Sequence, residues 1–186
     1  MIGWIILGIG ILGILWMVLI YNGLVAGRND VQGSWKQIDV QLKRRHDLIP
    51  NLVSTVKGAL EFEQDTLEKV ITARAKAVSA SGVQSKAEAE NVLTQALGKL
   101  FAVMENYPDL KSNRNIMQLQ EELTSTENRI AFARQLYNDL VANFRTQIQV
   151  FPNNIVSTLF NFRSEEYFEA EEAARATPAV NLSIRK

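Results

Sequence analysis

The residues with the most chemical potential lie in one short run, Lys43-Arg44-Arg45-His46-Asp47. His46 is the only histidine of the chain, and Asp47 beside it could orient it as a general base or a metal ligand. Di-iron helical bundles place a glutamate three residues before each ligand histidine, and Lys43 stands there instead. Catalysis or metal binding is therefore the minor interpretation. The run favours a structural polar layer or an interface with another molecule.

Arg45 is the most informative member of this run. It lies on an apolar helical stripe between Leu42 and Ile49, where an aliphatic residue is expected. A charge on such a stripe needs a partner or must reach water along its own aliphatic stem. We predict that Arg45 pairs across the bundle with a glutamate near Thr126, and a solvated helix turn stays open as the alternative. The candidate polar residues there are Glu122, Glu127 and Asn128.

Composition removes several classes of function. The 186 residues include 20 Lys+Arg and 20 Asp+Glu, and this balance argues against a nucleic-acid partner. The chain has no cysteine, which excludes disulfides, thiolate catalysis and cysteine-ligated metals. No glycine-rich phosphate loop, nucleophile elbow or kinase signature occurs. The sequence therefore predicts a protein that is not an enzyme and needs no cofactor.

The N-terminal residues predict a membrane anchor over 1–21. The stretch Ile2–Ile20 has no charged residue, and as a helix it covers about 28 Å, close to one hydrocarbon core. Trp4 lies near one end and Trp16 and Tyr21 near the other, where amphipathic rings favour the headgroup region. A cleaved signal peptide is the competing interpretation, but it would have a basic start and a shorter apolar stretch.

The charges that follow the span predict its orientation. Arg28 and Lys36 come shortly after it, and only the amino terminus precedes it. The positive-inside rule then places the N-terminus outside and the helical domain in the cytoplasm of a single-pass protein. A rigid rod would hold the Lys43–Asp47 run about 35 Å from the bilayer, so a lipid contact there requires the rod to fold back at Gly23 or Gly27.

The remainder predicts an all-α fold, an antiparallel bundle of three long helices plus short C-terminal ones over 22–163. A 4-3 apolar rhythm predicts the first long helix from the anchor to Ser79, with a kink at Pro50, and unbroken it would be about 120 Å long. A second helix is predicted over about 85–104. The third has heptad spacing from Ile116 to Phe144. A short apolar helix follows, and 164–186 is predicted to be a solvated acidic segment and an extended or disordered tail.

Several segments, in this order, closely resemble the LemA family of bacterial membrane-anchored proteins. The resemblance covers essentially the whole chain. The segments are WKQIDVQLKRRHDLIPNLVSTVKG (35–58), ENYPDLKSN (105–113), LQEELTSTENRIAFARQLYND (119–139), FPNNIV (151–156) and EEYFEAEE (165–172).

The family resemblance implies a single transmembrane helix followed by a helical bundle, with no established enzymatic activity or cofactor. A relative in magnetosome-forming bacteria is implicated in shaping the magnetosome membrane, so the resemblance also implies a role in membrane organisation. No assigned chemistry comes with the motif residues that carry over by position. These are Trp35, Asp39, Arg44, Arg45, His46, Asp47, Pro50 and Asn51.

Two functions follow as expectations. The first is a non-enzymatic scaffold in the bacterial cell membrane that self-associates through its helical rods and organises or remodels the bilayer. The second is a membrane-tethered adaptor or signalling module that binds another protein through the Lys43–Asp47 run or the acidic C-terminal stretch. The expected partners are therefore the lipid bilayer, further copies of the chain and, for the adaptor, another protein.

Overall fold

The computed structural model of the chain describes residues 1–60 and 63–169, and every regular element in that part is an α-helix. The predicted all-α fold is confirmed. Four long helices occur instead of three, together with two short ones. They are α1 (Ile2–Val56), α2 (Gln64–Ser79), α3 (Val83–Met104), α4 (Pro108–Lys111), α5 (Arg114–Gln149) and α6 (Asn153–Leu159).

Helix α1 is a single helix of 55 residues, about 80 Å long. It carries the apolar N-terminal stretch and then continues into the bundle without a break at Gly23, Gly27 or Pro50. The large apolar side chains of residues 2–19 are exposed around the whole helix, and Ile20, at the end of the stretch, is the first that packs against the bundle. Within the described residues, α1 is the one helix long and apolar enough to cross a membrane.

The prediction of one helix from the anchor to Ser79 is wrong, because α1 ends at Val56 and α2 begins at Gln64. Leu60, in the connection, is fully buried in the core. Val56, Leu60 and Leu67 keep the spacing of a helical stripe although a turn separates them, so the apolar rhythm runs across the break without marking it. The sequence signal for this turn is Gly58, because glycine is a poor helix former.

Helices α1 and α5 pair in antiparallel orientation along most of α5. Gly27 lies against Phe144, and Trp35 lies against Tyr137, with ring centroids 5.5 Å apart. Glycine favours the close approach at the first contact, because a Cβ at position 27 would lie 3.1 Å from Cδ2 of the buried Phe144, closer than most Cβ contacts. The C-terminal end of α5 therefore lies beside the part of α1 that leaves the apolar stretch.

Helices α2 and α3 form an antiparallel hairpin that covers the far half of the α1–α5 pair. The turn between them uses Gly82 at φ +86°, a conformation that side chains rarely adopt. The hairpin, α4, the end of α1 and the start of α5 share one hydrophobic core. Asn113 begins α5 as an N-cap, and its Oδ1 accepts a hydrogen bond from the amide of Asn115 at 3.0 Å.

The described start of the C-terminal segment lies as an extended strap across α5, although the acidic run predicts a solvated face. Phe168 is 2% exposed and packs against Trp35, with centroids 5.7 Å apart. The amide of Phe168 donates to Oδ1 of Asn138 at 2.9 Å, and Nδ2 of Asn138 donates to the Phe168 carbonyl at 3.2 Å. Tyr137 donates from its hydroxyl to the carbonyl of Glu166 at 2.8 Å.

The division into an anchor (1–21), a bundle (22–163) and an acidic segment with a tail (164–186) stays a prediction. Helix α1 crosses the first boundary without interruption, and the strap packs on the bundle just after the second. Residues 170–186, which contain the rest of the acidic run and the predicted tail, lie outside the described residues.

Candidate functional site

Arg45 is the centre of a polar layer inside the bundle, where three helices meet. Its side chain is almost completely buried, and the residue is 3% exposed. Nη1 donates to Oε2 of Glu90 at 3.1 Å, and Nη2 donates to Oγ1 of Thr94 at 2.7 Å. Nη2 also lies 3.1 Å from Oε2 of Glu127. The guanidinium of α1 thus connects α3 and α5.

Glu90 holds two basic side chains of α1 at once. While Oε2 accepts from Arg45, Oε1 lies 2.6 Å from Nε2 of His46. An ionised carboxylate only accepts hydrogen bonds, so Nε2 of His46 is the donor in this contact. Glu90 is itself buried, and each of its two carboxylate oxygens contacts a basic side chain of α1. We call Arg45, His46, Glu90, Thr94 and Glu127 the polar layer.

The helical spacing explains how these side chains come together. Glu90 and Thr94 lie four residues apart on α3, so both face the same side of that helix. Glu90 occupies a position of the buried α3 stripe between Ala87 and Leu93. Sequence reasoning used that signal for Arg45 but did not apply it to α3, and so it missed Glu90 and Thr94.

The other predicted site residues lie outside this layer. Lys43, Arg44 and Asp47 are exposed on α1, and Asn128 is exposed on α5. Asp47 is not the carboxylate that contacts His46, since Glu90 takes that place. The predicted pairing of Arg45 with a glutamate of α5 involves Glu127, which is half-exposed.

Glu122, the second glutamate offered to Arg45, takes part in a different set of contacts. It is half-buried, and its carboxylate accepts a hydrogen bond from Nε2 of Gln118 at 3.4 Å. Its backbone carbonyl accepts from the hydroxyl of Thr126, which is buried one turn further along α5. These contacts are local to α5, so Glu122 supports that helix and leaves the connection between helices to Glu127.

A backbone contact beside the polar layer joins α1 to α2. Pro50 lies inside α1 and has no amide hydrogen, so the carbonyl of His46, four residues earlier, lacks its helical donor. Nε of Arg74 on α2 donates to this carbonyl at 2.7 Å. The proline thus creates an acceptor within α1, and the arginine of the neighbouring helix uses it.

The space beside Arg45 is a small crevice of about 210 Å³, lined by residues of α1, α3 and α5 that include Thr94, Leu123 and Glu127. Pockets that bind drug-sized ligands are larger, about 300–1,000 Å³. Among the described residues, no three His, Cys, Asp or Glu side chains are grouped as metal ligands. The layer is thus arranged to fix how the helices are aligned, since each charged group meets a partner from another helix.

The sequence of the chain matches a known family. The model of the LemA family matches residues 34–182. The chain belongs to the LemA family. The resemblance noted from the sequence motifs is confirmed, and every residue of the polar layer lies within the matched part of this LemA-family chain.

Relatives with names agree with this membership. Protein LemA of Metamycoplasma hominis is 26% identical over 155 residues, which cover 83% of this chain and 71% of that protein. Magnetosome protein MamQ 2 of Paramagnetospirillum magneticum is 25% identical over 194 residues, which cover 90% of this chain and 71% of that protein. Magnetosome protein MamQ of Magnetospirillum gryphiswaldense has the same identity and coverage.

None of these relatives has the name of an enzyme. Membership in the LemA family, together with the apolar N-terminal helix, is compatible with a bacterial protein anchored in a membrane. The family match begins at residue 34, after the apolar stretch, and so it concerns the bundle and the C-terminal segment.

Proposed function

We propose that this LemA-family chain is a non-enzymatic, single-pass membrane scaffold that self-associates and organises or remodels the bilayer. The observation that carries the proposal is helix α1, which holds both the exposed apolar stretch Ile2–Ile20 and the surface that pairs with α5. Exposed apolar side chains around a whole helix are stable in hydrocarbon and costly in water. Because α1 has no break, contacts between the bundles of neighbouring chains would change the tilt of their transmembrane segments in the bilayer.

The open side of the α1–α5 pair supports self-association. A groove of about 600 Å³ lies there, and its lining residues all belong to these two helices. Val40, Phe132 and Leu136 contribute exposed apolar side chains, and Phe132 is 73% exposed. Contiguous exposed apolar side chains commonly mark interaction surfaces. A second copy of the rod would cover them.

Electron microscopy of the full chain reconstituted in lipid tests the proposal. We expect ordered assemblies or deformed vesicles from the native chain, and their loss in the variant Phe132→Asp. Ile71→Asp is the matched control, because Ile71 is also an exposed apolar residue of a helix but lies on α2, outside the groove. A native chain that stays monomeric on undisturbed membranes at high density would contradict the proposal.

The orientation is part of the proposal, with the N-terminus outside and the bundle in the cytoplasm. Arg28 and Lys36, shortly after the span, support it through the positive-inside rule. The chain has no cysteine, so single cysteines can be introduced at Ile2 and at the exposed Val78 of α2. In intact cells, we expect a membrane-impermeant maleimide to label the first and not the second. Labelling of the second cysteine and not the first would show that the protein has the opposite topology.

The adaptor function remains the second candidate, and one observation favours it. Lys43, Arg44 and Asp47 form a charged, exposed surface on α1, beside the polar layer but outside it. A crosslinker placed at Arg44 distinguishes the two functions. Products that contain only copies of this chain support the scaffold, whereas one recurrent different protein supports the adaptor.

A further inference from the structure

Five exposed apolar side chains belong to the turn after α5 and to α6 with its end, in the part of the bundle from which the apolar stretch of α1 emerges. We call this group, which joins the end of α5 to α6, the apolar foot. Each residue is between 45% and 77% exposed, although each is large and apolar. The foot consists of Val150, Phe151, Ile155, Leu159 and Phe160.

Helix α6 has an inner side that packs against the bundle and an outer side that is exposed. Val156 and Ser157 are buried against the bundle, and the hydroxyl of Ser157 donates to the carbonyl of Ile148 at 2.8 Å. Ile155 and Leu159 are four residues apart and lie on the opposite, outer side. The inner contacts fix the orientation of α6, so the outer apolar side chains cannot turn into the core of the same chain.

The foot is continuous with the apolar stretch of α1. The ring of Phe160 packs edge-on against Tyr21, with centroids 4.8 Å apart, and Phe162 packs against the same tyrosine at 5.7 Å. Tyr21 directly follows the uncharged stretch, and Leu19 two residues earlier is exposed. The foot therefore lies at the level along α1 where the stretch ends and where aromatic rings favour the membrane interface.

The charges around the foot complement an anionic bilayer surface. Residues 140–163 contain Arg145 and Arg163 and no acidic residue, and residues 2–29 of α1 contain Arg28 and no acidic residue. Basic side chains at this depth are attracted to anionic headgroups. Acidic residues begin only further from the span along each segment.

We propose that the apolar foot inserts into the interfacial layer of the bilayer beside the transmembrane helix, as a second membrane contact of the same chain. This inference rests on the membrane anchor of the proposed function and adds to it. Two contacts separated laterally fix the direction of the rod, whereas one helix alone is free to tilt. Apolar side chains inserted shallowly into one leaflet also spread its headgroups, which is how interfacial helices couple to curvature.

Depth measurements on the full chain in vesicles test this inference. Single cysteines replace Phe151 or Leu159 in the foot, Leu12 in the span and Met117 at the far end of α5, all exposed positions. Each carries an environment-sensitive fluorophore, and the vesicles of phosphatidylcholine and phosphatidylglycerol contain lipids with a quencher near the headgroup or deep in the chain. We expect shallow lipid quenching at Phe151 and Leu159 several-fold above that at Met117, and deep quenching at Leu12.

Each other outcome overturns the inference in a recognisable way. Foot positions quenched by aqueous iodide as strongly as Met117, with Leu12 quenched by lipid, would leave the anchor intact and remove the foot. Foot positions protected from both kinds of quencher would assign the patch to a protein contact. If Leu12 were also unquenched by lipid, the anchor of the proposed function would fail together with the foot.

Discussion

Arg74 on α2 donates a hydrogen bond from Nε to the backbone carbonyl of His46 on α1, at 2.7 Å. This carbonyl lacks a helical donor because Pro50, four residues later, has no amide hydrogen. The α2–α3 hairpin is thus attached to α1 one residue away from the buried Arg45. A proline that in isolation weakens a helix here provides the acceptor for a contact between helices.

The substitution Arg74→Ala tests this relationship in the native and Pro50→Ala backgrounds. In the native chain we expect a loss of about 1–3 kcal/mol of unfolding free energy, because a carbonyl loses a charged donor. In the Pro50→Ala background the new amide supplies a donor, and we expect a loss below about 1 kcal/mol. Chemical denaturation of the full chain in detergent, followed by circular dichroism, measures both values.

Lys69→Ala is the matched control, since Lys69 is a basic residue of α2 that is exposed. Its effect should be small and the same in both backgrounds, because it has no part in the contact. Additive effects of Arg74→Ala and Pro50→Ala would show that the two residues do not act on the same carbonyl.

Features that depend on the residues of one helix could be predicted from the sequence, whereas contacts between distant segments could not. Apolar spacing predicted α5 and the inward position of Arg45, since both follow from the period of one helix. The turn after Val56 could not be found in this way, because Leu60 continues the stripe through it. Contacts between distant segments, such as Glu90 with Arg45 or Phe168 with Trp35, depend on which helices pair, and a period within one helix carries no such information.

Glu90→Ala is expected to destabilise the bundle strongly. It leaves the buried guanidinium of Arg45 with the half-exposed Glu127, which is 42% exposed and therefore largely screened by water. Breaking a buried ion pair by removing one partner costs about 3–5 kcal/mol. Glu88→Ala, on the exposed side of the same helix, should change the unfolding free energy by less than about 0.5 kcal/mol.

A double substitution separates the loss of the ion pair from the loss of packing. Arg45→Met combined with Glu90→Leu removes both buried charges and keeps similar volumes. We expect this variant to recover much of the stability that Glu90→Ala loses, because the buried guanidinium is removed with its partner and only the partly buried His46 loses a contact. If Glu90→Ala unfolded at the same denaturant concentration as Glu88→Ala, the polar layer would have no stabilising role.

Phe168→Ala is expected to release the strap from α5. Replacing a buried phenylalanine by alanine costs about 3–5 kcal/mol, since apolar contacts are lost and a cavity remains. The same change at Phe132, which is 73% exposed, should cost little. Limited proteolysis should then cut the Phe168→Ala chain near the strap earlier than the Phe132→Ala chain. Equal cleavage rates would show that Phe168 does not hold the strap.

The raised pKa of Tyr137 leads to a prediction of how the stability of the bundle changes at alkaline pH. Burial of its phenol, together with the nearby carboxylates of Glu165 and Glu166, raises its pKa from 10.0 to about 12. The unfolded chain releases this proton at lower pH than the folded chain, so the stabilising contribution is complete below pH 10 and is lost as the pH rises towards 12. The phenolate absorbance of the native chain should therefore contain a component that ionises late.

The variant Tyr137→Phe assigns this late titration. It should remove the late phenolate signal and, at neutral pH, cost about 1 kcal/mol, because the carbonyl of Glu166 loses its hydrogen-bond donor. The native chain should lose stability more steeply than the variant above pH 10, since only the native chain carries the shifted phenol. A native chain that gives no late phenolate component would show that water reaches the Tyr137 hydroxyl and that the strap does not cover it.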